Sequence, residues 1–491
     1  MSNSKLALFC FGAAWMFILG VVYAQNAPHS AGGPDSVNSA KGADARRQTA
    51  KELAKPWGGA LGTAPVLREL LGSSIDPQIA RVIASIKAID NHAHPVLPPP
   101  HDRGDRGFDA LPVDNMEPQT DPVAWRADNP QLPLAWKALW GFAGKAPLDA
   151  QGMSQLEAAR SRVKAQQGVH YDEWVLDHSG IETMLANRVV TGPGITPPRF
   201  RWVAYEDALL FPLDNTALAA TTPDKKLFFP LEERIRARYL QDLGLGAIPS
   251  TLDEYIANIV VPTLRKQHAK GAVAAKFEIA YLRGFGFSDP SREDAQRIYR
   301  KYVGQGTVAA ADYQTLQDFL FRVIAAECGR LGMVVHLHCM SGGGSYFGIA
   351  GANPLLLEPI FNDPRLRGTK FVLLHGGWPF VREAGALLQK PNVYLDLSQQ
   401  SLTFPPHTLA GWLREWLETF PDKVLYGTDG YPFSAELGWE ESTWIANHNA
   451  REALGLALTG MLRDGEISLD RARDIAESVL RRSAEQLYAM R

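Results

Sequence analysis

Cysteine is scarce in this chain, with three in 491 residues. Cys10 falls in the N-terminal apolar stretch, so only Cys328 and Cys339 remain for the folded body, which excludes a disulfide framework. A structural zinc site built on paired thiolates goes with it. An excess of one charge sign is also missing. Lys and Arg number 50 against 53 Asp and Glu, for a net charge of -3, and no long basic cluster follows the N-terminal region, so the surface has no electrostatic basis for capturing nucleic acid. Apolar runs long enough to span a bilayer are absent after the first two dozen residues. What remains is an ordinary globular balance, 46% hydrophobic and 21% charged. It suits one large catalytic domain with insertions, acting on a small molecule. Nothing in the pattern decides between a monomer and a homo-oligomer.

The N-terminus reads as an export signal. Lys5 supplies a positive start, Leu6 to Tyr23 is apolar, and Val22-Tyr23-Ala24 carries the small residues of a cleavage site, which predicts a signal peptide over 1–24 and a periplasmic protein. Gly12 and Gly20 interrupt the run, which argues against a retained anchor. Residues 25–50, rich in Ala, Gly, Ser, Asn and Pro, read as a flexible leader, and 51–491 as the catalytic domain.

From Val82 onward, strand-like and helix-like segments alternate, the pattern of an α/β fold with parallel strands. The strand candidates are Val82 to Asp90, Ile181 to Asn187, Arg201 to Ala204, Ala272 to Ile279, Met333 to His338, Phe371 to His375, Val393 to Leu397 and Val424 to Tyr426. That is the number needed to close a (β/α)8 TIM-type barrel. Helices are expected at Leu252 to Lys270, Tyr313 to Leu331, Val381 to Gln389, Leu409 to Phe420, Asn447 to Leu462 and Ser468 to Tyr488, the last with Ser468 as N-cap. The stretch from Pro95 to about 170, rich in Pro and Trp, does not fit a minimal barrel. It is expected to be an insertion placed where a lid would sit, with Trp125, Trp136 and Trp140 either lining a pocket or forming a satellite hydrophobic cluster.

The chemistry gathers at strand ends. Ile89-Asp90-Asn91-His92-Ala93-His94 places two imidazoles one residue apart, on one side of a strand if alternation holds. Neutral imidazole is the commonest protein ligand for zinc and its neighbours. His336 and His338, His375 and Asp429 end later strands. In a parallel barrel these ends meet at one face, where substrates enter, which favours a catalytic ion over a closed structural one.

These residues resemble the amidohydrolase superfamily, specifically the amidohydrolase-2 branch with its FluG-like metal-dependent hydrolases. The resemblance runs through His92-Ala93-His94, Ile181 to Arg188, Phe371 to Phe380 with its His375-Gly376-Gly377-Trp378-Pro379, Asn392 to Ser398, and Leu425 to Gly430. It implies a mononuclear divalent metal, zinc first with Mn or Fe as alternatives, held by His92, His94, His338 and Asp429. It implies that Asp429 and His375 are catalytic, His375 serving as base or electrophile beside the activated water. His336 then touches substrate or supports a ligand, or is simply a hydrogen-bonded interior histidine. Lys276, Arg283 and Trp378 fall on the substrate side. A lysine at this strand is carbamylated in some relatives, whereas in FluG-like sequences it resembles a substrate-binding group. Arg283 would grip a carboxylate, or else make a surface salt bridge. The expected activity is hydrolysis of an amide or ester-like bond in a small carboxylate-bearing substrate. A metal-dependent decarboxylase or lyase, and a barrel that binds metal without catalysis, are the alternatives.

Overall fold

The computed structural model describes residues 74–490 apart from 99–104, 106, 110–119 and 193. The expected signal peptide and leader lie outside the described residues. Eight strands form one parallel sheet in sequence order: β1 (Ala88–Ala93), β2 (Ile181–Arg188), β3 (Phe200–Tyr205), β4 (Ala272–Phe277), β5 (Val334–His338), β6 (Phe371–Leu374), β7 (Val393–Asp396) and β8 (Val424–Leu425). The ladder runs from β1 to β8. The circle is drawn shut by backbone hydrogen bonds between β1 and the segment around and after β8: Asn91 N to Tyr426 O at 3.0 Å, Asp429 N to His92 O at 2.8 Å, and His94 N to Gly430 O at 2.8 Å. All eight expected strands are present. The first begins later than its apolar run suggests, because Val82 to Ser85 completes the helix Pro77–Ser85, capped by the Asp76 carboxylate.

Side chains fill the barrel in layers. Ile89, Leu185, Val203, Ala274, Val334, Val372, Leu374 and Leu425 form an inner apolar cluster, joined by Ala484 and Tyr488 from the C-terminal helical segment. On the outer faces, strand residues such as Trp202, Phe277, Val335, Phe371 and Leu395 pack with helix residues such as Leu264, Phe321, Leu413 and Leu454 in the main core. Helices cover the barrel as expected, including Ala310–Leu331, Pro406–Thr419 and Trp439–Arg463. Ser468 caps Leu469–Glu477 by accepting from Arg471 N. Pro223–Asp242, with Pro230 inside it, carries no clear helical signature in sequence because proline is a poor guide to helix interiors. Cys328 and Cys339 are free and buried. Among the described residues no helix is long and apolar enough to cross a membrane.

The described part of the insertion forms helices at Leu132–Trp140, Ala150–Gln167 and Tyr171–His178. Trp125, Trp136 and Trp140 take the second of the two places expected for them. They belong to a satellite core with Leu402, Phe433, Leu437, Trp444 and Ile445. Each indole N–H is satisfied, Trp125 by Thr403 Oγ1 at 3.1 Å, Trp136 by Glu436 O at 2.9 Å and Trp140 by Glu441 Oε1 at 2.6 Å. These bonds fasten the described part of the insertion to the helix after β7 and to the segment after β8.

Candidate metal centre

Three of the four expected ligands meet. His92 Nε2 lies 3.1 Å from Asp429 Oδ1, His94 Nε2 lies 3.3 Å from the same oxygen, and the two nitrogens are 3.3 Å apart. Donors bound at 2.0–2.1 Å around a tetrahedral ion stand about 3.3–3.4 Å from one another, so this triangle has the size of one face of a zinc site. All three residues are buried.

Strict alternation does not produce this face. Ile89 points into the barrel, so residue 91 would follow it inward and residue 92 would point out. A register shift between Asp90 and Ala93 sets three steps of β1 against two of β2. This is a bulge that turns both Asn91 and His92 inward. Asp90 anchors it, accepting from Thr428 N at 2.9 Å and from Thr428 Oγ1 at 2.5 Å. Asp429 and His375 have φ of 55° and 65°, the left-handed region that L-residues rarely adopt. Such strain collects at functional sites held by their surroundings. After His375, Gly376 and Gly377 continue with φ 62° and 76°, where a Cβ would lie 2.5 Å from the Gln400 side chain and 2.6 Å from Ala384 Cβ.

The far side of each imidazole is held. His92 Nδ1 is 2.7 Å from the Asn187 side-chain amide. His94 Nδ1 is 3.1 Å from Tyr205 Oη and 3.3 Å from Asp109 Oδ2, and Tyr205 donates to Asp109. Burial alone would lower the His94 pKa, but the Asp109 and Asp429 carboxylates raise it to about 10. Burial likewise favours a protonated Asp429, yet His375, His94 and Lys276 hold it well below the usual carboxylate range. A pocket that stabilises a proton on a ligand histidine between two carboxylates offers the same field to a divalent cation. The donor set, its size and its electrostatics therefore fit a metal. Asp109 comes from the insertion, where no sequence periodicity marks it, and Asn187 was legible only as part of a motif. Replacing Asp109 by Asn should weaken metal binding about 10- to 100-fold, the range for partners of a ligating histidine. Titration of the metal-free protein with Zn2+ measures this, and an unchanged affinity would remove Asp109 from the centre.

The other expected site residues divide. His375 stands beside the triangle, its ring centroid 4.8 Å from that of His92, and burial keeps its pKa well below the ordinary value. Lys276 Nζ is 3.4 Å from His92 Nε2 and 3.7 Å from Glu278 Oε1. His338 is adjacent, 4.6 Å from His375 between ring centroids, but its Nε2 is 2.9 Å from Met340 O, outside the three-ligand group. Trp378 is half-buried with its ring 5.3 Å from that of Phe404.

Two residues expected to contact substrate are engaged with other protein groups. His336 sits deeper in the barrel with Nε2 2.6 Å from Tyr488 Oη, the interior alternative. Arg283 is drawn to the helix Ala310–Leu331, 2.7 Å from Asp318 Oδ1 and 3.2 Å from Gln317 Oε1, and it also donates to Gly286 O at 2.8 Å. Its side chain is only 10% exposed, so its ion pair with Asp318 is a buried one. The strand-like signal hid this because a short helix, Ile279–Leu282, intervenes and redirects the chain. Arg283→Met should leave substrate affinity unchanged and reduce stability by about 3 kcal/mol, the low end for breaking a buried pair, because Ser288 still donates to Asp318 Oδ2. Denaturant unfolding checks this, and a loss below about 1 kcal/mol would contradict the buried-pair account.

Comparison with known proteins assigns the family. The sequence profile of the amidohydrolase family matches residues 240–488, the part that carries β4 to β8. Protein fluG of Emericella nidulans is 28% identical over 230 residues, which are 44% of this chain and 26% of fluG. The aligned part is thus about a quarter of that relative's length. Among solved structures, a Lactobacillus casei protein assigned as a metal-dependent hydrolase superposes with a TM-score of 0.53 at 15% identity, over 85% of this chain and 98% of that one. Uronate isomerase of Thermotoga maritima gives 0.55 at 13% identity, over 88% and 100%. At these identities the two structures speak for the barrel alone, while the profile match covers half the sequence, from residue 240 to residue 488, and includes Asp429. The chain is a member of the amidohydrolase family.

Proposed function

We propose that this protein is a metal-dependent hydrolase that cleaves an amide or ester-like bond in a small substrate. The observation that carries the reading is the triangle of His92 Nε2, His94 Nε2 and Asp429 Oδ1, with edges of 3.1 to 3.3 Å, open to a side where His375 and Lys276 stand. Zinc suits two imidazoles and a carboxylate, and Mn or Fe suits them too. When bound, such an ion lowers the pKa of water and polarises a carbonyl.

The protein residues supply the rest. Asp429, kept ionised by its cationic neighbours, accepts the proton of the attacking water as the new C–O bond forms, and passes it to the leaving amine or alcohol as the C–N or C–O bond breaks. His375, beside the triangle, orients the attacking water. Lys276 is the cation left for an anionic group of the substrate now that Arg283 is engaged elsewhere, and an acylated amino acid or a γ-glutamyl compound matches that arrangement. We also infer export to the periplasm, from Lys5, the apolar run to Tyr23 and the site after Ala24.

A panel of N-acyl amino acids, γ-glutamyl compounds and esters, incubated with Zn2+-loaded protein in 18O-water, tests the reaction class. Hydrolysis puts one labelled oxygen into the acid product and stops on chelation. Release of CO2 would instead make the protein a lyase, and an unlabelled rearranged product would make it an isomerase.

A further inference from the structure

A continuous hydrogen-bonded network runs from His375 to His336 within the barrel interior. His375 Nδ1 lies 2.9 Å from Ser398 Oγ, and Ser398 Oγ lies 2.6 Å from Asp396 Oδ1. The same carboxylate oxygen accepts from His375 N at 2.8 Å and from Ser398 N at 3.2 Å. Its partner, Oδ2, accepts from Asn91 Nδ2 at 2.7 Å. Asn91 Oδ1 accepts from Tyr488 Oη, which is in turn 2.6 Å from His336 Nε2. Every member is at least nine-tenths buried.

The direction of each bond follows from what each group can donate. Both Asp396 oxygens accept from N–H donors, Oδ1 from His375 N and Ser398 N and Oδ2 from Asn91 Nδ2, the pattern of a carboxylate that only accepts. Ser398 has one proton. If it pointed at His375, two sets of oxygen lone pairs would face each other across 2.6 Å at Asp396. The hydroxyl therefore donates to Asp396, and its lone pair receives a proton from His375 Nδ1. At the far end, Tyr488 gives its proton to Asn91, so its oxygen accepts from His336 Nε2, and His336 Nδ1 is left without a proton. That last atom is buried and has no hydrogen-bond partner among the described residues, so no acceptor there calls for a proton on it.

We propose that Ser398 and Asp396 are positioning residues that hold His375 as its Nδ1–H tautomer, so that Nε2 presents a lone pair to the metal centre. His375 is then an acceptor, able to take a hydrogen bond or a proton from water, and in its neutral form it cannot polarise a carbonyl by donation. Of the two roles expected for this histidine, base and electrophile, the network selects the first. The assignment rests on the reading that His375 works beside the metal, but its test needs no substrate, so the hydrolase reading and the tautomer can fail separately.

The test is long-range 1H–15N correlation NMR on full-length, Zn2+-loaded protein labelled at histidine, with the His375 signals assigned through His375→Asn. The expected pattern is a protonated Nδ1 and a bare Nε2 at His375, and the reverse at His336. Ser398→Ala should convert His375 to a mixture of tautomers, and Ser398→Thr should restore the single form. Tyr488→Phe, which cuts the network at its far end, should release His336 and leave His375 unchanged. A protonated Nε2 at His375 in the intact protein would overturn the proposal. So would a tautomer unaffected by Ser398→Ala, or one that shifts equally in Tyr488→Phe.

Discussion

Protein carrying Asp429→Ala is expected to come through purification without its divalent ion, and to show no turnover even when Zn2+ is supplied near stoichiometry. The aspartate contributes the only anionic donor of the triangle and meets both imidazole nitrogens within 3.3 Å. If three donors share a binding free energy on the order of 10 kcal/mol, losing one removes on the order of 3 kcal/mol, roughly a hundredfold in affinity. The charge makes this a lower bound, because two neutral imidazoles and the Lys276 ammonium then confront a dication with no carboxylate between them. His92→Ala should behave alike. Elemental analysis of the purified variants decides the matter, and full metal in either would dissolve the ligand assignment.

The second large effect divides binding from chemistry. His375→Asn should keep most of the metal and lose turnover by about 10²- to 10⁴-fold, the span for a positioned acid–base group. The expectation follows from geometry. Asn preserves the backbone N–H that bonds Asp396 and tolerates the left-handed conformation at φ 65° better than most residues. The loss should then report a missing imidazole and leave the fold intact. Equal losses in metal and activity would make His375 a ligand. A fall in kcat with KM unchanged is the signature of a group needed mainly in the transition state.

The strand ends were legible because each is the close of a short apolar run, and in a parallel barrel every such close falls on the same face. That reasoning brought His92, His94, Asp429, His375 and Lys276 together without coordinates. It did not show where Arg283 points. The residue lies just past β4, where a one-turn helix turns the chain away from the mouth and toward Asp318, and no local pattern distinguishes a rim residue that faces in from one that faces out. It was incomplete for His336, whose inward direction follows from alternation but whose partner, Tyr488, is 152 residues away. The insertion's tryptophans are a third case. Their spacing is that of any buried helix face, and only the neighbouring Leu437, Trp444 and Ile445 decide that the face belongs to a satellite core.

What the sequence determined by itself is the parallel barrel, the order of its strands and the donor types at their ends, since these depend on periodicities and termini that each segment carries within it. The tertiary structure alone decided which polar groups pair. The bulge that turns His92 inward is a mismatch between two strands and exists in neither one. The Asp109 support of His94 comes from an insertion without regular pattern. The tautomer assigned to His375 depends on the direction of hydrogen bonds passed from β1, β7 and the C-terminal helical segment. Burial forces each of these groups to find a partner, but which partner lies within 3 Å is set by the closure of the barrel.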